Sequence, residues 1–317
     1  WGKPLDRSKS VKKGRGIALG FKACVSPTTS LAMVTVNADG SCIVYCSTAD
    51  MGQGSDTAMA QIAGEVLHMA AESITVVHSD TDVTPYDMAT LGSRSLFHMG
   101  NAVKLAAEDV VEKLKQLRAQ LGLPADCPVP DIFKKKYGMQ AGNVTGTGSY
   151  IPSYKSPDAN GLTDNATPFW MVGASGAEVE VDTETGQVRV TRLVNVADVG
   201  TPINPKIVET QISGAAIMQL GFTLHEKMLF DAQGQLRNAS FAEYKIPGFL
   251  DLPKHLINEA VTAEQRSGPF GGKGVGETGT FGVSPAIANA IYDAVGVRLT
   301  ELPLSAESIF MGLKNAT

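Results

Sequence analysis

The sequence predicts an α+β fold in which a hairpin, a glycine-containing turn, a helix and a strand occur twice. The first observation is that the same order of apolar patterns recurs in both halves of the 317-residue chain. The second is composition, because 43% hydrophobic residues provide enough apolar surface for a sizeable core. We therefore expect internally duplicated units of sheets packed against helices, divided into residues 1–165 and 166–317.

The first unit alternates strand and helix patterns. Residues 37–40, Asn-Ala-Asp-Gly, have hairpin-turn chemistry between two β-rich runs. Apolar residues at helical spacing follow a turn that contains Gly52 and Gly54. The elements predicted in order are strands 31–36 and 42–47, helix 57–71, strand 74–77 and helix 101–121.

The second unit repeats this order around a hairpin turn at residues 182–187. Its final helix pattern has Ser284 as a plausible N-cap and Pro285 at its first position. Residues 122–168 are rich in Pro, Gly, Asn, Ser and Thr and are predicted to form a long excursion between the units. The elements predicted for the second unit are strands 177–181 and 188–194, helix 206–220, strand 224–230 and helix 285–295.

Charge and cysteine content exclude several classes of protein. The net charge of −5 is spread without long runs, so neither a nucleic-acid footprint nor a membrane-binding surface is indicated. Four cysteines without a Cys-x-x-Cys pair argue against an iron–sulfur cluster or a structural zinc site on this chain. Buried thiols in a reducing compartment, and hence a cytoplasmic location, are predicted.

One carboxylate lies inside a glycine-rich loop, at residues 271–279, Gly-Gly-Lys-Gly-Val-Gly-Glu-Thr-Gly. Glycine lets the backbone adopt left-handed angles and approach a ligand closely. Glu277 also precedes a predicted helix, a rigid element beside which a general base can be held. It is the candidate catalytic residue, and a solvated loop glutamate is the alternative. Its neighbours that are candidates for ligand binding are Gly274, Val275 and Gly276.

Two further turns could bind an anionic ligand. Residues 51–54, Met-Gly-Gln-Gly, precede a helix whose N-terminus favours negative charge. Residues 92–95, Gly-Ser-Arg-Ser, flank an arginine with hydroxyls, and arginine binds phosphate bidentately. An ordinary turn and a surface arginine are the alternatives. The candidate ligand-binding residues of these turns and of helix 206–220 are Gly52, Gln53, Gly54, Gly92, Ser93, Arg94, Ser95 and Gln211.

The ordered set of motifs resembles the molybdenum hydroxylase family, which includes xanthine oxidase and aldehyde oxidoreductase. The resemblance runs over nearly the whole chain and covers the second molybdenum-cofactor-binding domain, the second half of the molybdopterin-binding subunit. It is similar to a split subunit such as the medium molybdopterin subunit of nicotinate dehydrogenase, with a fragment of a longer subunit as the alternative. The motifs that carry it are residues 51–54, 61–65, 80–85, 92–95, 100–103, 274–277 and 285–291.

The resemblance implies a chemistry for these residues. Glu277 would take a proton from a metal-bound hydroxyl, whose oxygen attacks an electron-poor carbon of an N-heterocycle such as nicotinate. Hydride would pass from that carbon to a terminal chalcogen on the metal. Molybdenum would be held by the dithiolene of molybdopterin cytosine dinucleotide, without protein ligands. Gln53 and Gln211 would hydrogen-bond this cofactor, and Arg94 would face its phosphates.

The resemblance also implies an enzyme that is active only with partners: a large molybdopterin subunit, a 2Fe–2S subunit and an FAD subunit. The sequence departs from the family at Thr278, where proline is frequent, and at Met218, where glutamine is frequent and Gln219 follows instead. Three other interpretations stay open. They are a non-catalytic cofactor-carrying or assembly subunit, an aldehyde- or purine-oxidising member of the family, and an α+β enzyme that acts alone.

Overall fold

A computed structural model gives the structure of the chain over residues 10–315, so the ends of the predicted units, residues 1–9 and 316–317, lie outside the described residues. The strands are β1 Val11–Ala23, β2 Ser30–Asn37, β3 Cys42–Cys46, β4 Ile74–Val77, β5 Asn143–Tyr150, β6 Trp170–Asp182, β7 Val188–Asp198 and β8 His255–Val261. The α-helices are α1 Ser55–Leu67, α2 Ser95–Leu121, α3 Val129–Tyr137, α4 Pro205–Leu224, α5 Val283–Val295 and α6 Ala306–Asn315.

The two sheets share one topology. In the first, of order β4-β3-β2-β5, the hairpin β2–β3 is antiparallel and β4 joins β3 in parallel after the crossover helix α1. In the second, of order β1-β6-β7-β8, the hairpin β6–β7 is antiparallel and β8 joins β7 in parallel after α4. A parallel pair needs such a crossover. The predicted α+β fold with duplicated hairpin–helix–strand units is therefore confirmed.

Each sheet is closed by an antiparallel strand that packs tightly against a helix. Strand β5 pairs with β2 and lies against α2, whereas β1 pairs with β6 and lies against α5. A Cβ atom on Gly148 of β5 would lie 2.0 Å from the carbonyl oxygen of Ala102, and one on Gly16 of β1 would lie 2.1 Å from that of Ala286. Glycine at these positions allows the helix backbone to approach the strand.

Because of the two closing strands, the predicted units do not coincide with the two sheets. Strand β1 comes from the start of the chain but belongs to the second sheet. Residues 122–168, predicted to be an excursion, contain α3 and β5, so part of this segment is regular structure in the first sheet and its core. The division at 165/166 itself stays a prediction.

Several elements differ in extent from the sequence prediction, and α2 begins at Ser95 rather than at residue 101. The strand predicted at residues 224–230 is wrong, because α4 continues to Leu224 and the parallel strand of the second sheet is β8. In this stretch Phe230 makes only an isolated bridge with Leu236. Helix α1 ends at Leu67 rather than at residue 71, because His68 adopts a left-handed backbone with φ 56°. Within residues 10–315, no helix is both long and apolar enough to cross a membrane.

Candidate active site

The loop that contains Gly92 and the glycine-rich loop 271–279 meet the N-terminal regions of α1 and α4 in a pocket of about 300 Å³. One loop precedes α2 and the other precedes α5, so each half of the duplicated fold contributes the equivalent segment. The predicted site residues that line this pocket are Gln53, Gly54, Gly92, Ser93, Ser95, Gln211, Gly274, Val275, Gly276 and Glu277. The structure therefore brings together residues that lie far apart in the sequence.

Glu277 is held at the pocket by two side chains from distant parts of the chain. Its Oε2 atom accepts hydrogen bonds from Lys22 Nζ at 2.6 Å and from Ser93 Oγ at 2.8 Å. The backbone N–H of Glu277 donates to the same Ser93 Oγ at 3.0 Å. The carboxylate side chain remains 42% exposed, so it is oriented but still accessible.

The two loops touch through their backbones. A Cβ atom on Gly274 would lie 1.6 Å from the carbonyl oxygen of Ser93, so no larger residue fits there. Ser93 itself has a left-handed φ of 62°, a conformation that costs a non-glycine residue about 1–2 kcal/mol. Strain of this kind persists only where the surrounding structure enforces it. Here the reciprocal bonds between Ser93 and Glu277 contribute to that enforcement.

Arg94 does not line the pocket with its neighbours. Its side chain is 0% exposed and its Nη1 atom donates to Asp87 Oδ1 at 2.6 Å. Nη2 donates to Ser30 Oγ at 2.8 Å. The expectation that Arg94 faces phosphate groups does not agree with this placement, because a buried carboxylate already neutralises the guanidinium. Arg94 instead fastens the loop before α2 to the first sheet.

The turn at residues 51–54 also differs from the expectation. The carboxylate of Asp50 accepts hydrogen bonds from the N–H groups of Gly52 at 2.9 Å and Asp56 at 3.1 Å, at the start of α1. Burial alone would raise the pKa of Asp50, but these hydrogen bonds and one from Gly54 outweigh it and lower the pKa. An acidic side chain of the protein thus occupies the anion position, and Gly52 does not line the pocket.

The two predicted glutamines differ in their availability. The amide of Gln53 is used inside its own turn, where Oε1 accepts from the N–H of Met51 at 2.7 Å and Nε2 donates to the carbonyl of Ala49 at 2.8 Å. Gln211 projects from α4, lines the pocket and makes no side-chain hydrogen bond to any residue between 10 and 315. Gln211 is therefore the amide that is open to a ligand.

Residues of the second half also hold the Glu277 loop and the start of the helix that follows it. Lys273 Nζ donates to Asp198 Oδ2 at 2.6 Å and ties the loop to the end of β7. Gln219 Nε2 donates at 2.6 Å to the hydroxyl of Ser284, inside the first turn of α5. Helix α5 begins at Val283, so Ser284 is not its N-cap.

Sequence reasoning missed Lys22, Asp87 and Asp198. Lys22 lies 255 positions from its partner Glu277, and Asp198 lies 75 positions from Lys273. No local spacing pattern connects such pairs. Asp87 is only seven positions from Arg94, but the sequence offers Arg94 as a phosphate ligand or a surface arginine, and neither interpretation requires a buried acidic partner.

Comparisons with known proteins find relatives that match nearly the whole chain. Residues 3–253 match the family model described as the molybdopterin cofactor-binding domain. The chain is 34% identical to the probable hypoxanthine oxidase XdhD of Escherichia coli K12, over 99% of this chain and 34% of that protein. It is 34% identical to the 6-hydroxypseudooxynicotine dehydrogenase complex subunit gamma of Paenarthrobacter nicotinovorans, over 96% of this chain and 41% of that protein.

Solved structures show the same fold. The aldehyde oxidoreductase of Desulfovibrio desulfuricans aligns with a TM-score of 0.84 at 30% identity, over 96% of this chain and 33% of that one. Quinoline 2-oxidoreductase of Pseudomonas putida aligns with a TM-score of 0.84 at 26% identity, over 97% of this chain and 42% of that one. The chain therefore belongs to the molybdopterin cofactor-binding family of the xanthine oxidase-type molybdenum hydroxylases, which confirms the resemblance seen in its motifs.

The family model covers most of the chain, and the chain covers part of its relatives. The family model ends at residue 253, before the loop that carries Glu277. The chain spans 34% and 41% of the length of these two curated relatives.

Proposed function

We propose that this chain is the molybdopterin-binding subunit of a multi-subunit molybdenum hydroxylase and that Glu277 is its catalytic base. The observation that carries the proposal is the carboxylate of Glu277, oriented by Ser93 and Lys22 in the wall of the shared pocket while remaining accessible. An accessible carboxylate whose position is fixed by hydrogen bonds suits proton transfer. The substrate that we favour is an electron-poor N-heterocycle, with nicotinate as the first candidate.

The donor groups around the pocket fit a pterin nucleotide. Its lining is largely apolar, with Ile207 and Val208 among the residues, and the polar groups in it include Gln211, Thr90 and Ser95. The first turn of α2 has no side-chain cap, so its N–H groups suit a phosphate of the dinucleotide form. Heteroatom-rich rings and phosphates are recognised by such neutral donors and acceptors. We therefore propose molybdopterin cytosine dinucleotide as the cofactor.

The proposed reaction adds the oxygen of water to a ring carbon and releases two electrons and two protons. When bound, the molybdenum cofactor supplies the electron-accepting centre and the means of oxygen transfer. The protein contributes the base: Glu277 takes up a proton on its carboxylate, while Ser93 and Lys22 keep that group in place. The electrons would leave through a 2Fe–2S subunit and an FAD subunit.

A partner polypeptide is expected to complete the molybdenum site. Two of the curated relatives are named as a subunit of a dehydrogenase complex and as the large subunit of nicotine 6-hydroxylase, and both are longer than this chain. The large molybdopterin subunit would supply the remaining part of the pocket. All four cysteines are free, which supports assembly in the reducing cytoplasm.

The test is Glu277→Gln in the purified complex. We expect the variant to keep its molybdenum and cytosine nucleotide, because the amide preserves shape, and to lose turnover by about 10²- to 10⁴-fold, because the base is gone. Rates would be measured with nicotinate and with hypoxanthine and a dye as electron acceptor, beside metal and nucleotide analysis. Glu264→Gln, on an exposed side chain paired with Arg266, is the matched control.

Near-normal turnover of Glu277→Gln at full molybdenum content would refute the assignment of the base. A native complex that contains neither molybdenum nor a pterin nucleotide would refute the cofactor. Activity that resides wholly in the partner, and is unchanged by Glu277→Gln, would favour a non-catalytic assembly subunit.

A further inference from the structure

We propose that Lys22 is a positioning residue for Glu277, which selects the carboxylate oxygen that is free for proton transfer. This inference rests on the proposed function of Glu277 as a base. It starts from an asymmetry: both side-chain hydrogen bonds to Glu277, from Lys22 and from Ser93, are made to Oε2. No residue between 10 and 315 donates to Oε1.

Lys22 reaches the site from an unexpected part of the fold. It lies near the end of β1, the closing strand of the second sheet, where it pairs with Met171 of β6. Its Nζ atom is 2.6 Å from Glu277 Oε2 and lies 3.8 Å from the position that a Cβ on Gly92 would occupy. The ammonium group therefore lies beside Gly92 of the first loop as well as beside Glu277 of the second.

Two donors on one oxygen restrict the rotation of the carboxylate. Ser93 alone would hold Glu277 by a hydroxyl that is free to rotate, whereas Lys22 adds a cationic donor from a fixed strand. Charge-assisted hydrogen bonds are shorter and stronger than neutral ones. With Oε2 occupied from two sides, Oε1 is the oxygen left to accept a proton.

The ion pair is suited to orientation and contributes little to stability. The side chains of Lys22 and Glu277 are 36% and 42% exposed, and exposed ion pairs add little to the free energy of folding. Removal of the Lys22 ammonium should therefore leave the chain folded. A change in turnover can then be assigned to the position of the carboxylate.

The first readout does not need activity. A water-soluble carbodiimide joins an amine and a carboxylate only when they are in contact, so treatment of the complex should link Lys22 to Glu277, as detected by peptide mass spectrometry. Lys13, on the same strand, provides an internal control, because its Nζ lies 2.9 Å from Glu180 Oε1. A Lys13–Glu180 link without a Lys22–Glu277 link would overturn the proposal.

The second readout is kinetic, with nicotinate and hypoxanthine as probes. We expect Lys22→Met to lower kcat by about 10- to 100-fold with little change in KM, as for other residues that orient catalytic groups. Lys22→Arg should restore most of the rate, and Lys13→Met should behave as wild type. If Glu277→Gln is inactive but Lys22→Met is fully active, the positioning role is wrong and the proposed function stands. If Glu277→Gln is active, the proposed function itself fails.

Discussion

The loops before α2 and α5 occupy equivalent places in the two halves of the molecule, but their charged residues have opposite environments. Arg94 in the first loop has no exposed surface and is paired with Asp87. Glu277 in the second loop is 42% exposed and paired with Lys22. One loop thus uses its charged side chain as a buried anchor, whereas the other leaves its charged side chain accessible at the pocket. Equivalent loops of a duplicated fold can therefore place their charged groups in different environments.

This comparison is tested most strongly by removing each cation. Arg94→Met leaves Asp87 buried without its cation, and such a change costs about 3–5 kcal/mol of the free energy of unfolding. Lys22→Met breaks an exposed pair and should cost about 1 kcal/mol or less. Urea titrations of the two variants and the wild-type chain provide the measurement. Equal losses for both variants would show that the two loops do not differ as described.

The next largest effect is a pH dependence of the free energy of unfolding, which comes from His98 beside Arg94. Burial, and then the nearby Arg94, lower the pKa of His98 from 6.5 to about 4. Its Nε2 lies 3.0 Å from the carbonyl oxygen of Ser26. Between pH 6.5 and 4 the unfolded chain binds a proton at this residue and the folded chain does not. The free energy of unfolding should therefore decrease by about 3 kcal/mol as the pH falls through this range.

The measurement is the free energy of unfolding at pH 7 and pH 4, for the wild-type chain and for His98→Gln. The variant lacks the titrating imidazole but can still donate to a carbonyl, so it should lose most of this contribution to the pH dependence. A variant with the wild-type slope would assign the pH dependence to other groups.

The smallest effect tests whether the two halves pack alike. A Cβ added at Gly148 of β5 or at Gly16 of β1 would overlap a helix carbonyl at almost the same distance. Gly148→Ala and Gly16→Ala should each lower the free energy of unfolding by about 1–3 kcal/mol. Gly214→Ala is the control, since that helical glycine has open space around it and alanine should stabilise α4 by about 0.5–1 kcal/mol. If only one of the two variants were less stable than the wild type, the two halves would share their topology but not their strand–helix packing.

The order of elements and the glycine-containing loops could be predicted because both depend on local sequence patterns. Hairpins, helix periods and turn residues depend on neighbours within about ten positions. The predicted strand at residues 224–230 is wrong because a short apolar run fits the end of a helix as well as it fits a strand. The true parallel strand, β8, has an exposed and partly polar pattern that gave no clear signal.

The chain by itself determined its duplicated α+β fold, its family and the loop that carries Glu277, because these depend on residue types at short spacing. Only the tertiary structure decided that Arg94 is buried, that Asp50 caps the turn at residues 51–54, and that Lys22 holds the carboxylate. These assignments depend on which distant segments meet, and on how much water remains around each charge when they do. The spacing of residues along the sequence determines neither the contacts between distant segments nor the hydration of each charge.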